Sequence, residues 1–108
     1  MKTVVLFNQD RWGHGDADLG ARILKTFLQK VRALGELEAL VFVNGGVKLV
    51  AQGSPVLGEL ELLHENGVEL LPCGTCLTHY GLEPGVGAVS SMDEILTELA
   101  AAEKVVTL

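Results

Sequence analysis

The feature that most constrains the fold of this chain is the alternation of short apolar runs with longer amphipathic segments. Five runs are typical of strands, at positions 3–7 ("TVVLF"), 39–43 ("ALVFV"), 68–71 ("VELL"), 86–89 ("VGAV") and 105–108 ("VVTL"). Segments with helical character lie between them, and a helix is the usual connection between two parallel strands. The sequence therefore predicts an α/β fold, with βαβ units and a parallel sheet between layers of helices.

Helical periodicity is clearest in the first and last amphipathic segments. From Asp16 to about Leu34 the apolar residues recur in steps of three and four, and Asp16 is a suitable N-cap. These apolar residues are Leu19, Ile23, Phe27, Leu28, Val31 and Leu34. In the last segment, a cap at Ser90 or Ser91 precedes a second apolar face, formed by Met92, Ile95, Leu96 and Leu99. We expect one helix in each segment.

The two middle segments carry signals for helix ends. Ser54 is a suitable N-cap and Pro55 suits the first helical turn. Asn66 or Gly67 can adopt the left-handed conformation that ends a helix. After the third run, Thr75 is the expected N-cap of a short helix over "CLTHYG". We therefore expect one helix between the second and third runs, and a short one directly after the third.

Length and charge narrow the functional classes. A chain of 108 residues suits a single domain, 1–108. A net charge of −6 and an aromatic content of 5% disfavour binding to nucleic acid and to anionic membranes. The apolar runs are far shorter than a membrane span, and the amino terminus has neither a signal-peptide core nor a cleavage site. We expect a cytoplasmic protein without nucleic-acid or membrane partners, and its high apolar content favours a homo-oligomer.

The chain's two cysteines, Cys73 and Cys76, lie in the segment "PCGTCLTHYGL" directly after the third run. Pro72 marks the end of that strand because it cannot donate a hydrogen bond to the sheet. Ligands of open α/β sheets bind beyond the carboxyl ends of the strands. In a reducing cytosol, two cysteines this close indicate chemistry or metal binding before stability. The pair therefore lies where this fold class usually binds its ligands.

A reactive thiol is one reading of this segment. With Gly74 at the turn and a helix starting after it, Cys73 is expected to face the helix amides, which favour a thiolate. A thiolate can attack sulfane sulfur and carry it as a persulfide. Cys76 is expected within reach of Cys73, where it can resolve an oxidised or persulfidated partner.

Three alternatives remain beside this reading. Both cysteines can be small core residues, because free cysteine is often buried. Zinc has Cys73, Cys76 and His79 as candidate ligands with His14 as a fourth, but the second close pair that is usual in structural sites is missing, so no metal or other cofactor is expected. His79 then serves as a polar neighbour of the thiols or as a solvated helix residue. A thioredoxin-like disulfide reductase is the third alternative, although its order of elements and its inner dipeptide differ.

The loops after the first two runs are further binding candidates. In "NGGVK" the backbone N–H groups and Lys48 can face an anionic persulfide, with an ordinary turn and a solvated Lys48 as the alternative. In "NQDRWGHGD" the residues Arg11, Trp12 and His14 are candidates for ligand contact without an assigned role. This loop lacks the complete glycine pattern of a phosphate-binding loop.

These motifs together resemble the DsrE/F-like sulfur-relay family. "CGTCL" followed by "YGL", the upstream "FVNGGVKLV" and the early "GHGDADLG" are similar to the carboxy-terminal domain of YedF-like proteins, which are sulfurtransferase-like and linked to selenium metabolism. The resemblance covers nearly the whole chain. It implies a three-layer α/β/α sandwich around a five-stranded parallel sheet, and members that assemble as dimers, trimers or hexamers.

The resemblance also implies roles for individual residues. Cys73 matches the sulfur-accepting cysteine and Cys76 the second cysteine of the YedF-like subgroup. Asn44, Gly46 and Lys48 match the second loop and, with His79, are the expected substrate-binding residues. The first loop and helix start match at Gly13, Gly15, Asp16, Leu19 and Gly20.

The expected function is therefore handling of sulfur or selenium in the cytoplasm, with Cys73 carrying a persulfide and Cys76 assisting its transfer. The chain departs from YedF-like proteins at "SSMDEI", before the last helix, and it starts at the first strand, without a TusA-like amino-terminal domain. The expected partner is therefore a separate sulfur donor or acceptor protein, such as a TusA-like carrier. A redox-sensing or regulatory subunit without catalysis, and a zinc-stabilised domain, are the alternatives.

Overall fold

The structure, a computed structural model, describes residues 2–108 and contains a parallel sheet within them. Its four strands stand in the order β3-β2-β1-β4, and every neighbouring pair is parallel. The strands are Thr3–Phe7 (β1), Leu37–Phe42 (β2), Glu69–Pro72 (β3) and Lys104–Thr107 (β4). The predicted α/β class is confirmed, and four of the five predicted strands are present in the described chain.

Helices connect the strands. They are Ala17–Lys30 (α1), Leu57–Glu65 (α2), Gly74–Tyr80 (α3) and Met92–Ala101 (α4), together with 3₁₀ segments at Val31–Leu34 and Asn44–Leu49. Helices α1 and α2 contact each other and therefore share one face of the sheet. Because crossovers between parallel strands are right-handed, the return from β3 to β4 places α4 on the opposite face. None of the helices in residues 2–108 combines the length and apolar character that a bilayer crossing requires.

The strand predicted at 86–89, the fourth of the five apolar runs, is wrong. Gly87 has a φ of 76°, a left-handed conformation that interrupts extended backbone, and the segment runs as a loop past the edge of β3. Its approach to that edge ends in a single parallel bridge between Ser90 and Cys73. An apolar run was thus mistaken for a strand, because its valines cover the edge of the sheet without extending it.

Two predicted helix starts are also wrong, while two caps are confirmed. The second helix begins at Leu57, because Ser54 Oγ accepts a hydrogen bond from Val56 N (3.2 Å) in a turn that precedes it. The short third helix has Cys73, not Thr75, as its N-cap. Asp16 caps α1 by accepting from Leu19 N (2.8 Å), as predicted.

For the last helix, the choice between two serines is resolved. Ser91 caps α4 in a reciprocal arrangement in which its hydroxyl accepts from Glu94 N and the Glu94 carboxylate accepts from Ser91 N. Ser90 is left one residue outside the helix, in the bridge to Cys73.

The core of the sheet aligns the strand ends that carry the loops. Phe7 and Phe42, the last residues of β1 and β2, are fully buried and stack at 5.2 Å between ring centroids. Beyond them, Val43 N donates to Phe7 O and Cys73 N donates to Phe42 O, both at 2.9 Å. The chain after β2 and the chain after β3 therefore leave the same edge of the sheet in fixed register.

Glu98 is a half-buried acidic residue of helix α4. Burial raises the pKa of Glu98, and the charges of Glu69 and Glu38 raise it further, while Lys2 lowers it. A raised carboxyl pKa means that the folded state disfavours the carboxylate form. The ionised Glu98 therefore costs stability at neutral pH.

We expect Glu98→Gln to raise the midpoint of thermal unfolding at neutral pH. Because the folded pKa of Glu98 is raised, the wild type regains stability as pH falls through that pKa, so the advantage of the variant shrinks in acid. Thermal unfolding followed by circular dichroism from neutral to acidic pH measures this difference. Glu61→Gln makes the same charge change at an exposed position of α2 and is the control. An equal gain in both variants would contradict the explanation.

Candidate thiol site at the carboxyl edge of the sheet

Cys73 lies in the wall of a cleft at the carboxyl edge of the sheet. The residue is 5% exposed and follows directly on the last residue of β3. The cleft has a volume of about 530 Å³ and is lined by Cys73, Gly74, Thr75, Cys76, Ser90, Ser91 and Met92. We call it the Cys73 cleft. Cys73 therefore belongs to the buried hydrophobic core and also lines the cleft at the edge of that core.

Gly74 allows the segment that precedes α4 to pack closely against the start of α3. A Cβ at this position would lie 2.8 Å from Val89 Cγ1 and 3.3 Å from Ser90 O. Its amide donates to Ser90 O (3.0 Å), and Ser90 N in turn donates to Pro72 O (2.9 Å). Glycine is thus required here for the two chain segments to pack against each other.

The sulfur that accepts a backbone amide is that of Cys76, contrary to the expectation for Cys73. The Cys73 side chain accepts no hydrogen bond from the first amides of α3, although it caps this helix. Instead, Asn44 N donates to Cys76 Sγ at 3.1 Å. The second loop therefore holds the second thiol in place.

Cys76 is half-buried and its thiol is held in the protonated form. Burial raises the pKa of Cys76, while the hydrogen bond from Asn44 N lowers it. Cys73 raises it further, both as a hydrogen-bond partner and as a charge, so the net shift is upward. This interaction confirms that Cys76 lies within reach of Cys73.

A second cleft opens on the other side of Cys76. It has a volume of about 290 Å³ and is lined by Asn44, Thr75, Cys76, His79 and Tyr80. We call it the Cys76 cleft. Thr75 and Cys76 belong to both clefts, so Cys76 lies at their junction.

Polar groups surround the Cys76 cleft. Tyr80 Oη donates to Asn44 Oδ1 at 2.8 Å, and the His79 ring meets the Tyr80 ring edge-on at 5.1 Å. Lys48 Nζ lies 4.9 Å from the centroid of the Tyr80 ring, a cation–π contact. The structure therefore places Asn44 and His79 beside Cys76 and Lys48 on the Tyr80 ring, whereas Gly46 lines neither cleft.

Asn44 has a backbone conformation that suits its contacts. Its φ of 50° lies in the left-handed region, which asparagine tolerates better than most residues. It starts the 3₁₀ segment Asn44–Leu49 directly after β2, with its amide on Cys76 and its side chain on Tyr80. Asn44 thus connects the second loop to Cys76 and to Tyr80, which lie on one face of α3.

Gly46 has a packing role in this structure. A Cβ on Gly46 would lie 2.2 Å from Phe7 O and 2.8 Å from Phe7 C. The residue is buried, and its amide donates to Val43 O (2.8 Å). Gly46 lets the 3₁₀ segment cross the end of β1, and it lines neither thiol cleft.

The first loop packs against α1. The Trp12 ring, 43% exposed, meets the Phe27 ring edge-on at 5.4 Å, and Trp12 N donates to Gly20 O. A Cβ on Gly20 would lie 3.0 Å from the Arg11 Cβ, so this loop too depends on a glycine. Arg11, Trp12 and His14 line neither thiol cleft.

The zinc alternative finds no support in the described chain. Within residues 2–108, no three His, Cys, Asp or Glu side chains are grouped so that they could hold a metal ion. Cys73, Cys76 and His79 are close in sequence, yet they do not converge as a ligand set.

Sequence reasoning missed Tyr80 and Ser90 as parts of the site. Tyr80 lies four residues after Cys76, a spacing that puts both on one face of a helix, so this neighbour could have been found. Ser90 was considered only as a helix cap. Its place beside Cys73 depends on contact between distant segments, for which the sequence carries no local signal.

No protein-family model matches this chain, and no curated protein matches it either. Three solved structures are similar to it over nearly the whole length. The protein of unknown function MTH1491 from Methanobacterium thermoautotrophicum is 19% identical, with a TM-score of 0.68 and coverage of 99% of this chain and 98% of that one. The ychN protein from E. coli is 21% identical, with a TM-score of 0.67 and complete coverage (100%) of both chains. The conserved protein of unknown function BT1422 from Bacteroides thetaiotaomicron is 23% identical, with a TM-score of 0.65 and coverage of 99% and 94%. At these identities the likeness shows a shared α/β fold and nothing about function.

We expect Gly46→Ala to destabilise the fold by at least about 2 kcal/mol, because the added methyl group would meet the carbonyl of Phe7. Gly45→Ala is the matched control: its Cβ would lie 3.7 Å from the nearest atom, Gln9 Cα, an ordinary contact. We expect that change to stay within about 0.5 kcal/mol of the wild type. Urea unfolding of the three proteins measures both effects, and equal stabilities would contradict the packing role.

Proposed function

We propose that this chain is a sulfur-handling protein of the DsrE/F-like type, in which Cys73 accepts sulfane sulfur as a persulfide and Cys76 assists its onward transfer. The observation that carries the proposal is the arrangement of the two thiols. Both line one cleft at the carboxyl edge of a parallel sheet, and Cys76 also lines a second cleft. Ligands of open α/β sheets bind at this edge.

The contacts of the two thiols favour different roles for them. A raised pKa leaves the Cys76 thiol protonated at neutral pH, and protonated thiols are poor nucleophiles. Cys73 adds to the upward shift of the Cys76 pKa. We therefore assign the attack to Cys73, which directly follows the strand end and lines the larger thiol cleft, and the assisting role to Cys76.

The loading step balances without an oxidant. The Cys73 thiolate attacks the outer sulfur of a persulfide donor, R–S–SH, and forms a new S–S bond as the donor's S–S bond breaks. The donor leaves as the thiolate R–S⁻ with the bonding electron pair and takes a proton from water. The product is a Cys73 hydropersulfide.

Onward transfer uses the second thiol. Cys76 gives its proton to water and attacks the outer sulfur of the Cys73 hydropersulfide. The outer S–H group moves to Cys76, and Cys73 leaves as the thiolate with the electron pair of the broken S–S bond. Attack on the inner sulfur instead closes a Cys73–Cys76 disulfide and releases hydrosulfide. The first route moves sulfur to the junction with the Cys76 cleft, where Lys48, His79 and Asn44 are the proposed binding groups for an anionic sulfur species or its acceptor.

Partners belong to the same proposal. The rim of the Cys73 cleft carries exposed apolar side chains, Met92 (51%) and the neighbouring Val89 (57%), and Leu96 (55%) lies one helical turn beyond Met92. A sulfur donor or acceptor protein, such as a TusA-like carrier, would cover this surface while its own cysteine enters the cleft. Exposed apolar pairs such as Leu19 and Ile23 on α1 also favour assembly into a homo-oligomer.

Redox sensing is the second candidate function, because a two-electron oxidant such as hydrogen peroxide can convert two thiols this close to a disulfide and leave as water. It shares the geometry of the site but not the persulfide. The first experiment below therefore distinguishes the two functions.

We expect the protein to gain the mass of one sulfur atom at Cys73 when it is incubated with a persulfide donor. Cys73→Ser should abolish this gain, whereas Cys76→Ser should retain it and slow its release to an acceptor thiol, since the assisting thiol is gone. Intact-mass analysis with peptide mapping locates the sulfur. If Cys76→Ser gains no sulfur from the donor while the wild type closes a Cys73–Cys76 disulfide with hydrogen peroxide alone, redox sensing is favoured. If neither the wild type nor Cys76→Ser gains sulfur, the persulfide role is excluded.

The pKa interaction between the thiols gives a separate prediction. Cys73→Ala removes both contributions by which Cys73 raises the pKa of Cys76, so the midpoint of Cys76 alkylation should move to lower pH. The rate at neutral pH should rise accordingly. Iodoacetamide labelling of the folded protein, quantified at Cys76 by mass spectrometry over a pH series, measures the midpoint. An unchanged midpoint would show that the two thiols do not interact.

A further inference from the structure

One hydroxyl beside the proposed nucleophile has no partner. Ser90 is 5% exposed, and its Oγ is buried without a hydrogen-bond partner within the described chain. A buried polar atom left unpaired costs about 1–3 kcal/mol, so native proteins rarely keep one without a reason. Thr3 Oγ1 is likewise buried and unpaired, but it lies at the start of β1, at the other end of the sheet.

Ser90 and Cys73 face the same way. They are partners in a parallel bridge, and paired residues of parallel neighbours carry their side chains on one side of the sheet. Both residues line the Cys73 cleft. Ser90 therefore borders the cleft into which a sulfur atom added to Cys73 would extend, and its unpaired hydroxyl lies on the Cys73 side of the bridge.

The position of Ser90 is fixed from both directions. Its amide donates to Pro72 O and its carbonyl accepts from Gly74 N, so it is fastened to the strand end and the helix start that flank Cys73. The next residue, Ser91, is held by its capping bonds with Glu94. A hydroxyl fixed in this way is preorganised, and an added partner has little ordering cost to offset.

No other residue that lines the Cys73 cleft offers a buried hydroxyl without a partner. The residues that line the Cys73 cleft carry no charged side chain. Of its three hydroxyls, that of Ser91 is engaged with Glu94 and that of Thr75 belongs to an exposed residue. An anionic sulfur in this cleft thus finds one buried, unused hydroxyl donor next to Cys73.

We infer that Ser90 Oγ–H donates a hydrogen bond to the outer sulfur of the Cys73 persulfide, an inference that rests on the proposed function. When the Cys73 hydropersulfide formed by loading gives its proton to water, the charge of Cys73–S–S⁻ lies on that outer sulfur, and hydrogen bonds to charged groups are the stronger ones. Ser90 is then a positioning residue: it holds the carried sulfur and takes no part in bond making.

The test compares the loading equilibrium at Cys73 in wild type, Ser90→Ala, Ser90→Thr and Thr3→Val. Glutathione hydropersulfide is the donor and glutathione the leaving thiol, and the ratio of loaded to unloaded Cys73 is read by peptide mapping over a series of donor-to-thiol ratios. We expect Ser90→Ala to lower this ratio about tenfold at neutral pH, the size of one hydrogen bond to a charged group. Ser90→Thr keeps the hydroxyl and should restore most of the ratio.

Thr3→Val is the matched control, because it removes the other buried, unpaired hydroxyl at a distance from the site. We expect it to leave the ratio unchanged. Ser90→Ala should unfold at the same temperature as the wild type or higher, since no hydrogen bond is lost in the unloaded protein. Reduced loading therefore cannot be attributed to unfolding.

The outcomes separate this inference from the function on which it rests. A wild type that loads and a Ser90→Ala variant that loads equally well overturn the role of Ser90 alone, as does an equal loss in Ser90→Ala and Ser90→Thr. A wild type that fails to load overturns both the function and the inference. If Ser90→Ala does not fold, thermal unfolding of loaded and unloaded wild type decides: a higher midpoint in the loaded protein supports the hydrogen bond, and an unchanged midpoint overturns it.

Discussion

The thiol site depends on the register of three parallel strand ends. The hydrogen bonds from Val43 N to Phe7 O and from Cys73 N to Phe42 O extend the sheet's hydrogen bonding by one residue past β2 and β3. The stacked Phe7 and Phe42 rings fill the core beneath these bonds. Because of this register, Asn44 leaves β2 beside the helix that leaves β3, and its amide meets Cys76 Sγ. A shift of one residue in either pairing would turn the side chains to the other face and separate the loops.

Local patterns predicted most of the fold and failed where distant segments decide the outcome. The helical periodicity after Asp16 and the Ser91 cap are encoded within a few residues, and both are confirmed. The run at 86–89 has a strand's composition but a left-handed Gly87 in its middle, and only its approach to β3 shows that it serves as a cover. The prediction of Thr75 as the N-cap of α3 was wrong for a similar reason. The helix starts at Gly74, directly after Cys73, and the Gly74 amide donates to the carbonyl of the distant Ser90.

The sequence predicted the position of the two thiols but not their hydrogen-bond partners. The spacing of Cys73 and Cys76 after a strand was enough to place both thiols at the sheet edge. The sequence could not indicate that the backbone amide would contact Cys76 in place of Cys73, because that amide comes from Asn44, 32 residues away. Gly46 shows the opposite error: a glycine in a resembling motif was assigned to substrate, whereas the space it leaves is taken by the Phe7 carbonyl.

Burial of Cys73 and its proposed reactivity are compatible because of what borders the sulfur. A thiol enclosed by aliphatic side chains is inert, since the thiolate has no stabilising neighbour. Cys73 instead borders a cleft with hydroxyl groups on one side and Cys76 on the other. Access to a residue 5% exposed is restricted to small donors or a narrow protein segment, and the same restriction shields a bound sulfur from thiols in solution. A carrier must both accept sulfur and keep it. Under the proposed function, the wall of the Cys73 cleft would keep the sulfur, and Cys76, which lines both clefts, would give it a route to an acceptor.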